Sequence, residues 1–213
     1  MWIFYAIDSS FFAGITAVLA KCGIKKTDSD VATAIRTVVV LLFSWLMVLM
    51  TGTWGGITQI DGRTLLFLIL SGMATGASWL CYFHALQKGD INKVVPIDKS
   101  STVLSILLAL IFLREGITGT KIVSVLLIGI GTMMMITKKD IETDSGKKSG
   151  GWLIYAVLSA VFASLTSILG KIGIEGIDSN LGTAIRTTVV LFMAWLMVFI
   201  TGKQKEIKAI EKK

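Results

Sequence analysis

Apolar residues run through this chain in long blocks, not at the spacing of a half-buried strand or a surface helix. The blocks fall at about 3–23, 31–51, 64–86, 94–113, 119–137, 152–172 and 180–201, with short polar stretches between them. A nearly uncharged run of about 18 or more residues is long enough, as a helix, to cross the hydrocarbon core of a bilayer. Barrel strands are shorter and alternate, so these uniform runs predict helices. The expected fold is an all-α polytopic membrane protein with about seven transmembrane helices. Short connections place successive helices antiparallel. The first block lacks a positive flank and a small-residue cleavage site, so it is expected to stay as a helix and not to be removed as a signal peptide.

The blocks are not independent of one another. Trp2–Gly52 matches Trp152–Gly202 at a constant offset, with roughly half of the aligned positions identical. Thr33-Ala34-Ile35-Arg36-Thr37 returns as Thr183-Ala184-Ile185-Arg186-Thr187, Trp45-Leu46-Met47-Val48 as Trp195-Leu196-Met197-Val198, and Asp28-Ser29 as Asp178-Ser179. Shared apolar composition would not align an arginine, a tryptophan and an Asp-Ser pair. Five predicted helices precede the second copy, and an odd number makes it enter the membrane upside down. The expected organisation is a five-helix unit at 1–138, a charged cytoplasmic linker at 139–150, two inverted helices at 151–202 and a basic cytoplasmic tail at 203–213.

The net charge of +7 changes this picture only by orienting it. Lys21, Lys25, Lys26, Lys88, Lys93, Lys138, Lys139, Lys147, Lys148 and the lysine-rich tail fall on one side. Arg63, Arg114, Lys121 and Lys171 fall on the other. Positive residues favour the cytoplasmic side, which predicts an outside N-terminus and an inside C-terminus in a cell (inner or plasma) membrane. Lys25-Lys26 of the first copy become Glu175-Gly176 in the second, so the hairpin loses its lysines where inversion puts it outside. Inverted repeats are a hallmark of secondary transporters, with a site near midplane between the copies.

Several local patterns sharpen the class. Tyr82-Phe83-His84-Ala85-Leu86-Gln87-Lys88-Gly89 closes the third helix, and Val94-Val95-Pro96-Ile97 opens the fourth. Leu107 to Phe112, Leu113-Arg114-Glu115-Gly116 and Gly129-Ile130-Gly131 follow. With the repeat, these resemble the EamA family of the drug/metabolite transporter superfamily, whose unit is a five-helix repeat usually present twice in inverted orientation. The resemblance covers one full unit and the first two helices of another. It implies a transporter fold, and it leaves three readings of the seven-helix chain: a truncated product, a chain completed by a partner, or an unusual homo-oligomer.

Charges within spans cost about 2.5–3.5 kcal/mol each at the helix centre, so each invites a reason. Arg36, Asp98 and Lys99 lie at similar depth on the inner side, and an Arg36–Asp98 ion pair is expected, as a fastening between helices or as a gate able to grip an anion. Arg186 lies near the outer side, and Asp8 is a candidate partner for it. The alternative is Asp8 at the headgroups. Pro96 serves either a first helical turn or, if the helix begins earlier, a hinge. His84, the one histidine, is either a satisfied polar residue or a proton carrier. Trp45, Trp79, Tyr82 and Trp195 could line a cavity or sit at an interface, and Gly72-Met73-Ala74-Thr75-Gly76 reads as close helix packing.

No HExxH, nucleophile elbow or P-loop is present, and Cys22 and Cys81 lack metal-like spacing. An enzyme, a metal or cofactor site, a nucleic-acid partner and a built-in ATP motor are therefore not expected. The expected function is transport of a small metabolite or drug-like solute by alternating access, with lipid and a small-molecule substrate as partners. The alternative is a non-transporting subunit or remnant that needs a partner chain.

Overall fold

A backbone inside lipid must satisfy its own N–H and C=O groups, which the helix does within each segment. The computed structural model describes residues 2–24, 28–112, 118–135 and 151–204, and among these every long element is helical. The expected linker at 139–150 and most of the tail, from residue 205, lie outside the described residues, as do Lys25, Lys26 and Arg114. The helices are α1 (Trp2–Ile24), α2 (Ser29–Thr51), α3 (Gly62–Lys88), α4 (Ile91–Lys99), α5 (Ser101–Phe112), α6 (Gly119–Met135), α7 (Gly151–Ile174) and α8 (Ser179–Ile200). A short 3₁₀ stretch, Thr53–Gln59, links α2 to α3. Six segments are long and apolar enough to cross a membrane, α4 and α5 together forming one, and α6 adds a shorter apolar helix. This is a polytopic helical membrane protein.

Short aspartate caps make tight connections workable. A helix start leaves N–H groups without intrahelical partners, and an Asp side chain accepts from them. Asp28, Asp61, Asp90 and Asp178 do so for Asp30, Arg63, Asn92 and Asn180. The repeated Asp-Ser pair is thus a repeated helix start. The repeat also preserves its exit: Gly52 and Gly202 both follow their helices in the left-handed region, at φ of 67° and 68°.

The fourth span departs from the single helix expected at 94–113. It starts at Ile91, so Pro96 lies beyond the first turn, and the helix breaks at Ser100. Pro96 has no N–H to offer the carbonyl of Asn92, which weakens the ladder there. The Ser100 N–H closes α4 on the carbonyls of Pro96 and Ile97, and its hydroxyl donates to Ile97 O at 2.6 Å. Of the two readings of Pro96, the interior one holds.

Packing centres on α3. It runs antiparallel to α7, with Leu68 against Gly173, Ser71 donating to Thr166 O at 3.0 Å, and Ser78 donating to Ser159 O at 3.1 Å. Its other face lies on α8, where a Cβ at Gly72 would come 2.8 Å from Val189 Cβ and one at Gly76 2.7 Å from Met193 Sδ. The GxxxG is therefore a packing device, as read from the sequence. The two copies meet directly where α2 crosses α8. Val31 and Ala34 near the start of α2 pack with Ala194, Trp195 and Val198 near the end of α8. Val48 and Trp45 near the end of α2 pack with Leu181 and Ala184 near the start of α8. At the repeat offset, Val31 corresponds to Leu181, Ala34 to Ala184, Trp45 to Trp195 and Val48 to Val198. One cluster is the other with the copies exchanged, which is the signature of an inverted, antiparallel pair.

Gly72→Val is expected to lower the melting temperature in detergent, because overpacking here costs about 1–3 kcal/mol. Gly129→Ala, where an added Cβ meets nothing within 4 Å, should not lower it. Equal melting temperatures for the two variants would refute the close α3–α8 contact.

Candidate functional site

Small residues on one face of a helix leave room beside it. On α1 the bulky side chains Phe4, Phe11, Phe12, Val18 and Leu19 are exposed on the outside of the bundle. Ser9, Ala13, Thr16, Ala17 and Ala20 recur at three- and four-residue spacing and border an inner cavity of about 670 Å³. Ser10 and Gly14 of α1, Arg36 of α2, Ser78, Trp79, Tyr82 and Phe83 of α3, Val95, Pro96, Asp98 and Lys99 of α4, Ser101 of α5, Thr132 of α6 and Ala163 of α7 complete the wall. The volume is within the range of small-molecule sites, and the lining combines apolar surface with a few polar groups.

Charged groups in the wall are held in different ways. The Asp98 carboxylate accepts from the Ser159 hydroxyl at 2.5 Å and faces Lys99 Nζ at 3.4 Å. Arg36 stacks its guanidinium over Trp79, 4.4 Å from the ring centroid, with Phe83 at 5.6 Å. Such a cation–π contact offsets part of the cost of a cation in lipid. The expected Arg36–Asp98 ion pair is not formed. The two residues border the same cavity, but an aromatic face takes the cation, and a serine and a lysine take the anion. Ser10 and Thr16 donate to their own backbone carbonyls, Ala6 O and Phe12 O, at 2.8 and 2.7 Å.

The remaining residues singled out from the sequence fall elsewhere. Arg186 lies in the α3–α7 contact, where Nη2 donates to Thr75 Oγ1 at 3.4 Å and Gly170 leaves room for Nη1. Asp8 is exposed on α1, which packs on α2, α3 and α4, so the candidate Asp8–Arg186 pair is not formed, and the alternative of an exposed Asp8 holds. Trp45 turns to the other copy: its indole N–H donates to Thr188 Oγ1 at 3.2 Å, and its ring meets Trp54. Trp195 occupies the equivalent cluster. His84 is outside the cavity wall, with Nδ1 at 3.2 Å from Ser29 Oγ and its ring 4.4 Å from that of Tyr155. The cavity therefore brings together Arg36, Asp98, Lys99, Trp79 and Tyr82, and leaves out Arg186, Trp45 and His84.

Sequence reasoning missed Ser159, Phe83 and the hydroxyls of α1. The small-residue spacing on α1 was the available signal. It also missed a latch between the copies. Lys203, just past α8, contacts Asp28 at 2.8 Å and Asp30 at 2.7 Å. Partial burial pulls its pKa down, but hydrogen bonds and attraction from the two carboxylates prevail and hold the ammonium above the ordinary lysine value of 10.5. A raised lysine pKa stabilises fully below the unfolded value and is lost only as pH rises through the folded one, so this contribution persists through neutral pH. The equivalent positions at the other end are Thr53, Asp178 and Asn180, which cannot form the same pair.

A profile of the EamA-like transporter family matches residues 1–137. The chain belongs to this family. An uncharacterized transporter encoded in the cobO 3' region of a Sinorhizobium species is 46% identical over 134 residues, covering 63% of this chain and 95% of that one. The uncharacterized transporter YxxF of Bacillus subtilis is 26% identical over 156 residues, 66% of this chain and 50% of its own length. The uncharacterized protein MJ1333.1 of Methanocaldococcus jannaschii is 26% identical over 103 residues, 44% of this chain and 75% of its own. No solved structure matches. The family and its relatives make this a multi-pass membrane protein of a transporter class for small solutes.

Ser159→Ala would strip a buried carboxylate of its hydroxyl donor, a loss of about 1–3 kcal/mol. A lower melting temperature than the parent, partly restored by Ser159→Thr, is expected. No change would mean that the Ser159–Asp98 contact is not formed in the membrane.

Proposed function

We propose that the chain moves a small metabolite or drug-like solute across a cell membrane, through the cavity bordered by Arg36, Trp79, Tyr82 and Asp98. The observation that carries this reading is the cavity itself. It sits among membrane-length helices and combines aromatic walls with charges that a purely structural core would not need. Alternating access is the mechanism we favour. Inverted copies can exchange the roles of their two ends, and the exchanged clusters of α2 and α8 supply a contact on which one copy can rock against the other. In this reading residues 1–138 form one unit, 139–150 a linker and 151–202 an inverted partial second unit. The Lys203–Asp28–Asp30 latch holds the cytoplasmic end.

The metabolite content of cells and medium should differ between cells expressing this chain and cells expressing Arg36→Ala at equal level. At least one compound is expected to be displaced by the unmutated protein alone, and purified protein in vesicles should exchange that compound against itself faster than it supports net flux. A profile unchanged from that of cells lacking the chain, with the protein present in the membrane, would overturn the transport reading.

Orientation has its own test. Cys22 is exposed near the end of α1 that the charge bias places inside. In a Cys81→Ser background, a membrane-impermeant maleimide should label Cys22 in inside-out vesicles and not in intact cells. The reverse pattern would invert the proposed topology.

A further inference from the structure

The charges around the cavity are unequal in what answers them. Asp98 has a hydroxyl donor in Ser159 and a cation in Lys99. The Lys99 side chain is 61% exposed against 12% for Asp98, so the lysine is the less enclosed of the two. Arg36 has aromatic rings on its face, and among the described residues no carboxylate lies at ion-pair distance from it. Stacking occupies the flat face of a guanidinium and leaves its in-plane N–H donors, which match a carboxylate in a two-pronged geometry. Counting Arg36, Lys99 and Asp98, the wall carries one net positive charge. A single negative charge on the solute would neutralise it, while a second would meet Asp98.

The rest of the wall describes the remainder of the solute. Trp79, Tyr82, Phe83 and the alanines of α1 offer an apolar and aromatic surface. The hydroxyls of Ser10 and Thr16 already donate to their own helix, so they present acceptors and do not compete with Arg36 for an anion. We propose that the cavity recognises a small organic monocarboxylate with an apolar body, its carboxylate held by Arg36 and its body by the aromatic wall. This rests on reading the cavity as the transport site and adds the class of solute.

The test uses the full chain in nonionic detergent and four probes that share one phenyl body: phenylacetate, its neutral isostere phenylacetamide, the cation 2-phenylethylamine and the bulkier dianion phenylmalonate. Phenylacetate is expected to bind roughly tenfold or more tighter than each of the others, as a charge-assisted pair in a partly dry site allows. Arg36→Gln should bring the phenylacetate-to-phenylacetamide ratio to about one, and Arg36→Lys, which keeps the charge without the fork, should leave an intermediate ratio. Arg63→Gln, at the exposed start of α3, should leave the ratio unchanged. Equal binding of acid and amide, or a preference that survives Arg36→Gln, would overturn the proposal. If Arg36→Gln fails to fold, the Arg36→Lys ratio decides. Uptake of the same probes into vesicles separates the two readings. Flux without carboxylate preference sinks this inference alone. Arg36-dependent binding without flux of any probe sinks the transport reading and leaves the site assignment standing.

Discussion

Any polar group that enters the hydrocarbon region must be answered from within the chain, and in this protein the two repeat-related arginines set the terms. Arg36 and Arg186 occupy the same place in their copies, yet both converge on α3, which belongs to the first unit. Residues one turn apart on that helix receive them: Trp79 offers Arg36 a ring, and Thr75 offers Arg186 a hydroxyl. The small residues along α3 let α7 and α8 come close enough for this. Without Gly72, Gly76, Ser71 and Ser78 the second copy could not seat, and Arg186 would have no hydroxyl in reach.

The two answers are chemically different, and so are their outcomes. The hydroxyls of Thr75 and Thr166 and the bare Cα of Gly170 surround the Arg186 guanidinium between packed helices, where its Nε stays without a partner among the described residues. An aromatic face leaves Arg36 at the edge of a cavity with donors to offer. Duplication thus produced two copies of one side chain, and packing against a single shared helix gave them unequal surroundings.

Much of the fold was legible because bilayer thickness fixes helix length, and because the match of Trp2–Gly52 to Trp152–Gly202, with an odd number of predicted helices before the second copy, implies an antiparallel pairing of the copies. The ion pairs were not. Depth along a helix can be read from sequence, but azimuth around the bundle cannot when most faces are apolar. Arg36 and Asp98 share a depth, yet Trp79 and Ser159 stand closer to each. Asp8 and Arg186 fail for the same reason, since α1 packs on α2, α3 and α4. Trp45 was open to a cavity or an interface role from sequence, and its azimuth turns it to the other copy. The break at Ser100 was half visible: Pro96 marked it, but only the start at Ile91, capped by Asp90, made the proline interior.

The exchanged clusters of α2 and α8 make that pair a balanced beam. Because each end of the contact is a copy of the other, tilting α8 about the middle spreads one tryptophan-anchored patch while compressing its twin, with little net change in buried area. The match is not complete, since Ile57 and Ile60 join only the cluster at the end of α2. Lys203, gripping Asp28 and Asp30 at one end with only Thr53, Asp178 and Asn180 at the other, is the weight in the pan. If the copies rock as proposed, this one side chain distinguishes the two ends of the contact.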